Sequence, residues 1–288
     1  MRIIIDDIEA AGRSLTPFGR EVVLPTARRL KESCITFAAV HRWQWTSHND
    51  FASWAVQQMD TSLTWIILDP LFPSSSKNGD TLRVRMTRKL AESHLALASP
   101  DIITQQYQLQ RLYGRLVGIL DDAASSGITL SHITDILCGV GARPHEILTC
   151  SSTFAARRAV SEHLHCRWLD FVPGDCSTIH MRDICPFLPF TGRQDHNRSI
   201  IETAQGPVTP SLPVIAPIFR GLWQHVMADA YMQAAVVGAR VEVVRRLSSL
   251  LGRPATVKDV PLLGATVTLP LLPFQEASAS TRLDNILL

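Results

Sequence analysis

Long apolar runs are missing from this sequence of 288 residues. No stretch approaches the ~18 consecutive apolar residues that a membrane-spanning helix requires. The opening residues, MRIII, are followed at once by Asp6 and Asp7, so the apolar core of a secretory signal is also missing. We therefore expect a soluble cytoplasmic protein without a membrane segment.

A surplus of charge of one sign is missing as well. Charged residues make up 19% of the chain, and the formal net charge is only +2. Global electrostatics therefore give no reason to expect a nucleic-acid partner, although a local basic patch at Arg83, Arg85, Arg88 and Lys89 leaves that contact open. There are six cysteines. None are spaced as CxxC, and we expect free thiols rather than a disulfide framework.

Short apolar runs alternate with helical patterns along most of the chain, and they show no in/out alternation. Strands that are buried on both faces of a parallel sheet have this appearance. We therefore expect a doubly wound parallel α/β sheet, with ligands beyond the carboxyl ends of its strands. The predicted strands are residues 2–5, 34–40, 65–68, 116–120, 145–150 and 168–172, and the predicted helices are residues 17–33, 80–93, 129–140 and 154–165.

The character of the chain changes towards its end. Residues 206–217 contain four prolines and indicate a linker. Residues 218–252 predict one long helix or two, with an apolar stripe at steps of four and three. We expect an α/β domain over residues 1–200 and a mainly helical extension over residues 201–288. The predicted stripe consists of Leu222, Val226, Ala230, Ala234, Val237 and Val241.

The strongest local signal is an apolar strand, two acids and a loop of small residues that opens a helix. The acids, Asp121 and Asp122, are acceptors suited to two vicinal ribose hydroxyls, directly or through a metal ion. The loop amides and the helix N-terminus favour a phosphate, and Gly127 permits a positive φ and close backbone approach. The expected phosphate-binding residues are Ala124, Ser125, Ser126, Gly127, Ile128 and Thr129.

The segment Val117-Gly-Ile-Leu-Asp-Asp-Ala-Ala-Ser-Ser-Gly-Ile-Thr resembles the binding motif of the type I phosphoribosyltransferase family. That motif has four apolar residues, two acids, two variable residues and then Ser/Thr-Ser/Thr-Gly-x-Ser/Thr, and only Gly118 departs from it. The resemblance covers roughly residues 60–195. It implies a phosphoribosyltransferase-like fold, 5-phosphoribosyl 1-pyrophosphate (PRPP) as ligand and Mg²⁺ as cofactor. An ordinary strand–helix turn with an acidic cap is the alternative.

The family also holds pyrophosphate on an earlier loop. Here Ser74, Ser75, Ser76 and Lys77 follow a predicted strand, and three hydroxyls with an ammonium group suit a polyanion. A solvated serine-rich turn explains the same residues. Trp43, Trp45 and His48, further upstream, are expected as buried packing residues, with pocket lining as the alternative.

The stretch 173–193 occupies the place where the family contacts the base and the pyrophosphate metal. The resemblance implies a catalytic role for Arg182 beside Asp121 and Asp122, since Arg182 would neutralise the departing pyrophosphate. Asp175 would be a further metal ligand, in addition to Asp121 and Asp122 acting through the ribose hydroxyls. A surface loop with its own Arg–Asp pairs is the alternative.

The first residues of the chain repeat the shape of the motif. Ala10 and Ala11 replace the two serines, and no earlier loop precedes the segment in the usual order. We interpret residues 1–60 as a degenerate half-repeat or an independent strand–helix turn, with a second working site as the alternative. The residues that align with Asp121, Asp122, Gly127, Thr129 and Leu130 are Asp6, Asp7, Gly12, Ser14 and Leu15.

Two hypotheses for function follow. The first is an enzyme that binds PRPP with Mg²⁺, releases pyrophosphate and attaches the phosphoribosyl group to a small nitrogenous base. Ser125 stands where members acting on 6-oxopurines carry an acid, which disfavours that subclass. The second is a non-catalytic relative that senses a nucleotide in regulation or defence. In either case we expect a second copy or a protein partner to bind through the C-terminal helices.

Overall fold

The computed structural model describes residues 1–69, 71–73, 80–84, 87–91, 94–98, 109–162, 164–185, 201–203, 206–208, 217–256, 259, 262–263 and 282–286. Contacts between Cα atoms divide the chain into two compact units that interleave in sequence. The first unit is Met1–Ile3, Thr46–Thr87 and Leu97–Thr178, and the second is Ile4–Trp45, Arg88–Ala96 and Ile179–Leu288. The predicted division into residues 1–200 and 201–288 stays a prediction.

The helices and strands are as follows in chain order. The strands are β1 (Arg2–Asp6), β2 (Gln44–Ser47), β3 (Thr64–Ile67), β4 (Thr81–Arg83), β5 (Thr87–Ala91), β6 (His94–Ala98), β7 (Leu116–Ala124), β8 (Arg143–Ser152), β9 (Arg167–Asp170), β10 (Ser177–His180), β11 (Ile201–Thr203) and β12 (Gly206–Val208). The helices are α1 (Ile8–Gly12), α2 (Pro17–Val40), α3 (His48–Gln58), α4 (Ile128–Gly139), α5 (Phe154–Ser161), α6 (Met181–Ile184), α7 (Pro217–Ala228), α8 (Ala230–Leu251) and α9 (Leu283–Ile286).

A five-stranded sheet forms the centre of the first unit. Its order is β4–β3–β7–β8–β9, and every pair of neighbours is parallel. Helices α4 and α5 connect β7 to β8 and β8 to β9, as a parallel sheet requires. The predicted α/β class is confirmed, and the carboxyl ends of all five strands meet at one edge.

The packing of β7 explains the one position where the sequence departs from the motif. Val117 and Ile119 are fully buried in a core that includes Leu130 of α4 and Val160 of α5. Gly118 lies on the opposite face of the strand, directly beside Trp65 of β3. A Cβ at residue 118 would lie 2.5 Å from the Trp65 ring, so the indole occupies the space that an apolar side chain would need.

Two sequence-based predictions are wrong. The run 34–40, predicted as a strand, is the end of α2, which continues through Pro25 to Val40. Its buried positions Leu30, Cys34 and Phe37 recur at helical spacing, and their packing offsets the hydrogen bond that the proline removes. The predicted helix 80–93 instead contains β4, which pairs with β3, and β5. Pairing in a sheet overrides the local helical preference there.

The second unit is mainly helical. Helix α2 packs on α8, and α8 also contacts α7 and α9; β1 is the middle strand of the small sheet β10–β1–β2. The predicted helical extension is confirmed as α7 and α8, which break at Asp229, the residue that caps α8. The break shifts the helical phase, so Leu222 and Val226 are buried as predicted but Val241 is 49% exposed.

Two further expectations concern the whole chain. Within the described ranges, no helix combines the length and the apolar character needed to cross a membrane. All six cysteines are free thiols, which confirms the prediction that there is no disulfide framework.

Candidate functional site

The carboxyl edge of the five-stranded sheet collects the polar residues of the candidate site. Strand β7 runs through Ala124, two residues beyond Asp122, so Asp121 and Asp122 lie within the strand and not at its tip. Because neighbouring side chains on a strand point to opposite faces, the two carboxylates face apart. Asp121 is half-buried and shares a face with Ile119, towards α4, whereas Asp122 is only 9% exposed.

The carboxylates of both acids help to fix the local backbone. Asp121 Oδ1 accepts a hydrogen bond from the amide of Asp122 at 3.0 Å, and Asp122 Oδ1 accepts one from the amide of Ala123 at 2.8 Å. Of the two, Asp121 is the more accessible to a ligand on the α4 side. Asp122 lies beneath the edge of the sheet.

The loop after β7 has the backbone that an anion site needs. Gly127 adopts φ +76° and stands as the N-cap of α4, where it has no side chain to cap the helix, and the Ile128 amide donates only a long hydrogen bond of 3.5 Å to Ser126 Oγ. A Cβ at residue 127 would lie 2.7 Å from the carbonyl oxygen of Ala156, so both the left-handed φ and the close approach of α5 require glycine. The first turn of α4 contains no acidic residue. The positive end of the helix dipole therefore stays available to an external anion.

The other loop residues frame this helix end. Ala124 is buried, Ser125 and Thr129 are half-buried, and Ser126 and Ile128 are exposed. The loop is anchored from the next crossover, because Thr153 donates its hydroxyl to the carbonyl of Ser125 and its amide to the carbonyl of Ala124.

Helix α5, beside α4, has a closed N-terminus. Thr153 Oγ1 accepts the amide of Ala156 at 3.0 Å, and Asp175 Oδ1 accepts the amide of Phe154 at 2.8 Å. Asp175 also accepts, through its carbonyl oxygen, a hydrogen bond from the N-terminal ammonium of Met1 at 2.6 Å. The structure thus places Asp175, predicted as a metal ligand, at the cap of α5. Of the two helices α4 and α5, it is α4 whose N-cap residue provides no side-chain cap.

Asp170, which the sequence did not single out, is committed to internal contacts. Its side chain is 4% exposed and forms an ion pair with Arg157 at 3.2 Å. It also accepts hydrogen bonds from Ser152 Oγ at 2.8 Å and Trp168 Nε1 at 3.1 Å. This saturated carboxylate connects β8, β9 and α5, and we assign it a structural role.

A buried imidazole and carboxylate lie at the neighbouring strand end. His48 Nε2 and Asp69 Oδ2 are 2.7 Å apart, at the start of α3 and just after β3. Burial raises the pKa of the Cys150 thiol well above its usual value, and the charges of Asp122, Asp69 and Asp170 raise it further. The charges of the three carboxylates therefore add to the effect of burial, and this thiol stays protonated. The sequence analysis expected His48 as a packing residue, with pocket lining as the alternative.

Arg182 belongs to the second unit, whereas Asp121 and Asp122 belong to the first. Arg182 is 8% exposed, its guanidinium lies 3.2 Å from Asp7 Oδ2, and its backbone amide donates to Asp7 Oδ1 at 2.9 Å. His180 Nδ1 contacts the same carboxylate at 3.1 Å. The structure therefore commits Arg182 to a buried carboxylate, in contrast to the predicted role in holding pyrophosphate.

Burial and neighbouring charges shift the pKa values of Asp7 and Asp183. Burial alone would raise the pKa of Asp7, but the Arg182 charge and the His180 hydrogen bond outweigh it and lower that pKa. For Asp183, burial is the dominant effect, and the pKa is raised. The aligned acid Asp6 pairs with Lys31 at 2.6 Å. The N-terminal copy of the motif is thus an internal ion network.

Two expectations about ligands remain. Ser74, Ser75, Ser76 and Lys77 lie outside the described residues. Among the residues that are described, no group of three or more His, Cys, Asp or Glu side chains is arranged to hold a metal ion. A Mg²⁺ ion that keeps several waters and binds through ligand phosphates needs only one or two protein carboxylates, so Asp121 fits such an ion.

Comparison with known proteins gives structural neighbours only. No protein-family model matches the sequence, and no curated protein matches it. The neighbours include adenine phosphoribosyltransferase from Saccharomyces cerevisiae, with 11% identity over 42% of this chain and 72% of that chain, at a TM-score of 0.29. A phosphoribosyltransferase from Corynebacterium diphtheriae gives 17% identity over 41% and 70%, at 0.27. Orotate phosphoribosyltransferase from Mycobacterium tuberculosis gives 15% over 41% and 69%, at 0.26.

Proposed function

We propose that the first unit binds PRPP with Mg²⁺ and transfers its phosphoribosyl group to a small nitrogenous base. The observation that carries this proposal is the uncapped N-terminus of α4, opened by Gly127 at the carboxyl edge of the sheet. Its amides, with the hydroxyls of Ser125, Ser126 and Thr129, would hold the 5-phosphate. Asp121 would accept hydrogen bonds from the ribose hydroxyls.

The proposed reaction exchanges one bond at C1 of the ribose for another. The lone pair of the acceptor nitrogen forms the new C1–N bond while the C1–O bond to pyrophosphate breaks. The bonding electrons leave with pyrophosphate, and the proton of the acceptor N–H passes to solvent. When bound, Mg²⁺ supplies positive charge to the departing pyrophosphate. The role of this chain is to hold both ends of the ribose phosphate, an orientation effect that brings the reacting atoms together.

A second candidate function is nucleotide sensing without turnover. The observation that favours it is that Arg157 of the first unit is paired with Asp170. In this alternative the same loop binds the ligand, and a partner reads the bound state.

We also propose that the C-terminal helices carry a second copy of the chain or a protein partner. Tyr231, Val241 and Leu250, on different sides of α8, are 57%, 49% and 50% exposed, and a partner that packs on α8 would cover part of this apolar area. Light scattering after size-exclusion chromatography measures the oligomeric state. A monomer at all concentrations would leave only the heterologous partner.

Calorimetric titration with PRPP tests the binding proposal. We expect magnesium-dependent binding by the wild type, and a loss of at least about tenfold in affinity in Asp121→Asn, which removes the charged acceptor while keeping its shape. Asp135→Asn, at an exposed position of α4, is the matched control. Equal affinity in all three proteins would refute the assignment of the ribose site.

An assay of pyrophosphate release in the presence of different bases separates the two candidate functions. An enzyme releases pyrophosphate with one base, and we expect this activity to be lost in Asp121→Asn with the fold retained. Binding of PRPP without release for any base would favour the sensor.

A further inference from the structure

Thr153, the N-cap residue of α5, connects the candidate phosphate loop to the neighbouring crossover. Its backbone amide donates to the carbonyl of Ala124 at 2.9 Å, and its hydroxyl donates to the carbonyl of Ser125. The same hydroxyl oxygen accepts the amide of Ala156 at 3.0 Å. A hydroxyl has one proton and two lone pairs, so it can bind the loop and cap the helix at once. Thr153 is 6% exposed, and water therefore has little access to these bonds.

The two loop carbonyls that Thr153 holds determine where the next two amides point. A peptide unit is planar and trans, so its C=O and N–H groups point in opposite directions. Because the carbonyls of Ala124 and Ser125 are directed at Thr153, the amides that share their peptide units are directed away from it. These amides belong to Ser125 and Ser126. Thr153 thus sets the orientation of two consecutive donors at the carboxyl edge of the sheet.

These two amides belong to a run of backbone donors that is open to a ligand. Within the part of the chain that the structure describes, no acceptor receives the amides of Ser125, Ser126 and Gly127. The Ile128 amide has only its 3.5 Å bond to Ser126 Oγ. Successive N–H groups in a turn form a concave nest that binds anions. A phosphate is therefore an acceptor that this run of donors suits.

The loop also packs on α5 at its other end. A Cβ at residue 127 would lie 2.7 Å from the carbonyl oxygen of Ala156 and 3.2 Å from the Cβ of Ala159. With Gly127 this close to α5, the loop has little room to shift as a whole. Rotation of a single peptide unit is the movement that remains, and the Thr153 hydroxyl opposes it at Ser125.

We propose that Thr153 is a positioning residue for the 5-phosphate of the ligand. By holding the carbonyls of Ala124 and Ser125, it keeps the amides of Ser125 and Ser126 turned towards the phosphate before the ligand arrives. Donors that are already in place bind without the loss of freedom that ordering them would require. The role rests on the proposed function. The Thr153 hydroxyl is itself committed to Ser125 and Ala156, so Thr153 acts through the loop.

The competing role for Thr153 is that of a helix cap alone. Loss of a cap lowers stability, but it leaves the orientation of the loop amides unchanged. Ser47 provides the matched case in the same unit, because its Oγ accepts the amides of Asn49 and Asp50 at the start of α3. Among the described contacts, Ser47 makes none with the phosphate loop. The two roles therefore predict different ligand affinities rather than different stabilities.

The test is calorimetric titration of PRPP and of ribose 5-phosphate, each with Mg²⁺, into the full chain. Thr153→Val removes the hydroxyl and keeps the branched shape, Thr153→Ser keeps the hydroxyl, and Ser47→Ala removes a cap elsewhere. We expect Thr153→Val to weaken both ligands by the same factor of about tenfold, because they share the 5-phosphate. Thr153→Ser should bind within about threefold of the wild type, and Ser47→Ala within about twofold.

The other outcomes are distinct. Wild-type affinity in Thr153→Val, failure of Thr153→Ser to restore binding, weakening of PRPP alone, or an equal weakening in Ser47→Ala would each overturn the positioning role. If Thr153→Val does not fold, Thr153→Cys carries the same comparison with Thr153→Ser, because a thiol is a weaker donor than a hydroxyl. A wild type that binds neither ligand would refute the proposed function itself, and the positioning role with it.

Discussion

Two segments of this chain share one pattern of residues and use it in opposite ways. In each, an apolar run leads to two acids, four residues follow, and a glycine comes next. After Asp7 those residues are Ile-Glu-Ala-Ala, and α1 begins at once. After Asp122 they are Ala-Ala-Ser-Ser. Strand β7 continues to Ala124, and helix α4 begins only after Gly127. Alanine favours the early helix, whereas serine favours a turn.

The consequences for charge are opposite too. The carboxylate of Asp7 is 0% exposed and contacts Arg182 and His180. The acid of the first segment is therefore committed to contacts within the protein. The second segment keeps Asp121 half-buried and its helix end without a side-chain cap. A motif of acids and glycine therefore becomes a ligand site only where the intervening residues leave the helix end open.

The largest expected effect on stability comes from removing the buried carboxylate of Asp7. Asp7→Ala removes a buried carboxylate that contacts both Arg182 and His180, so we expect a loss of about 3–5 kcal/mol in the free energy of unfolding. Asp121→Ala, at the more accessible acid, should cost less than about 1 kcal/mol. Chemical denaturation measures both, and losses of equal size would break the comparison.

The next largest difference in stability should be between alanine substitutions at Gly127 and at Gly12. Gly127→Ala combines a left-handed φ with a 2.7 Å approach to the Ala156 carbonyl, and we expect a loss of about 2 kcal/mol together with loss of PRPP binding. Gly12→Ala meets only the end of the Leu24 side chain, which can rotate, so the loss should be smaller. Gly139→Ala, with open space around it, is the control in thermal unfolding. A Gly127→Ala variant with wild-type stability and binding would contradict this account.

Arginines with and without a described carboxylate partner sharpen the contrast further. Arg240 of α8 is 3% exposed, no described residue bonds its Nε atom, and burial lowers its pKa to about 10. Arg240→Met should raise the free energy of unfolding by about 1 kcal/mol, because the methionine carries no buried charge. Arg182→Met removes the guanidinium that pairs with buried Asp7 and should lower the free energy of unfolding. Chemical denaturation of both variants decides, and a loss in Arg240→Met would show that its charge has a counterpart.

The smallest expected effect on stability is that of low pH. The pKa of Asp7 is lowered in the folded chain, so its stabilisation is present above the unfolded pKa of about 4 and is lost as pH falls through the folded value. Asp183, with its raised pKa, opposes part of this effect. We expect the wild type to lose more free energy of unfolding than Asp7→Asn when the pH falls below about 4. Parallel losses in the two proteins would contradict the buried pairing.

The sequence predicted the parallel sheet well because its strands are short runs buried on both faces, which read as continuous apolar segments. It mistook residues 34–40 for a strand because a buried helix face of Cys, Phe and Ala looks the same over seven residues. The loop 125–129 was predictable, since glycine and serine determine it locally. The hydrogen-bond partners of Asp7, Asp69 and Asp175 were not predictable from the sequence. Apart from the bond of Asp69 to its own turn, each of these bonds joins residues far apart in sequence.

Hydrogen exchange of the wild type, with and without PRPP and Mg²⁺, tests the central claim most directly. At a PRPP concentration about ten times the dissociation constant, we expect amide exchange in residues 124–131 to slow about tenfold, with no change in residues 6–14. Protection confined to 124–131 would show that only the open copy of the motif receives the ligand. Unchanged exchange there at saturating PRPP, or protection of residues 6–14 instead, would contradict the account.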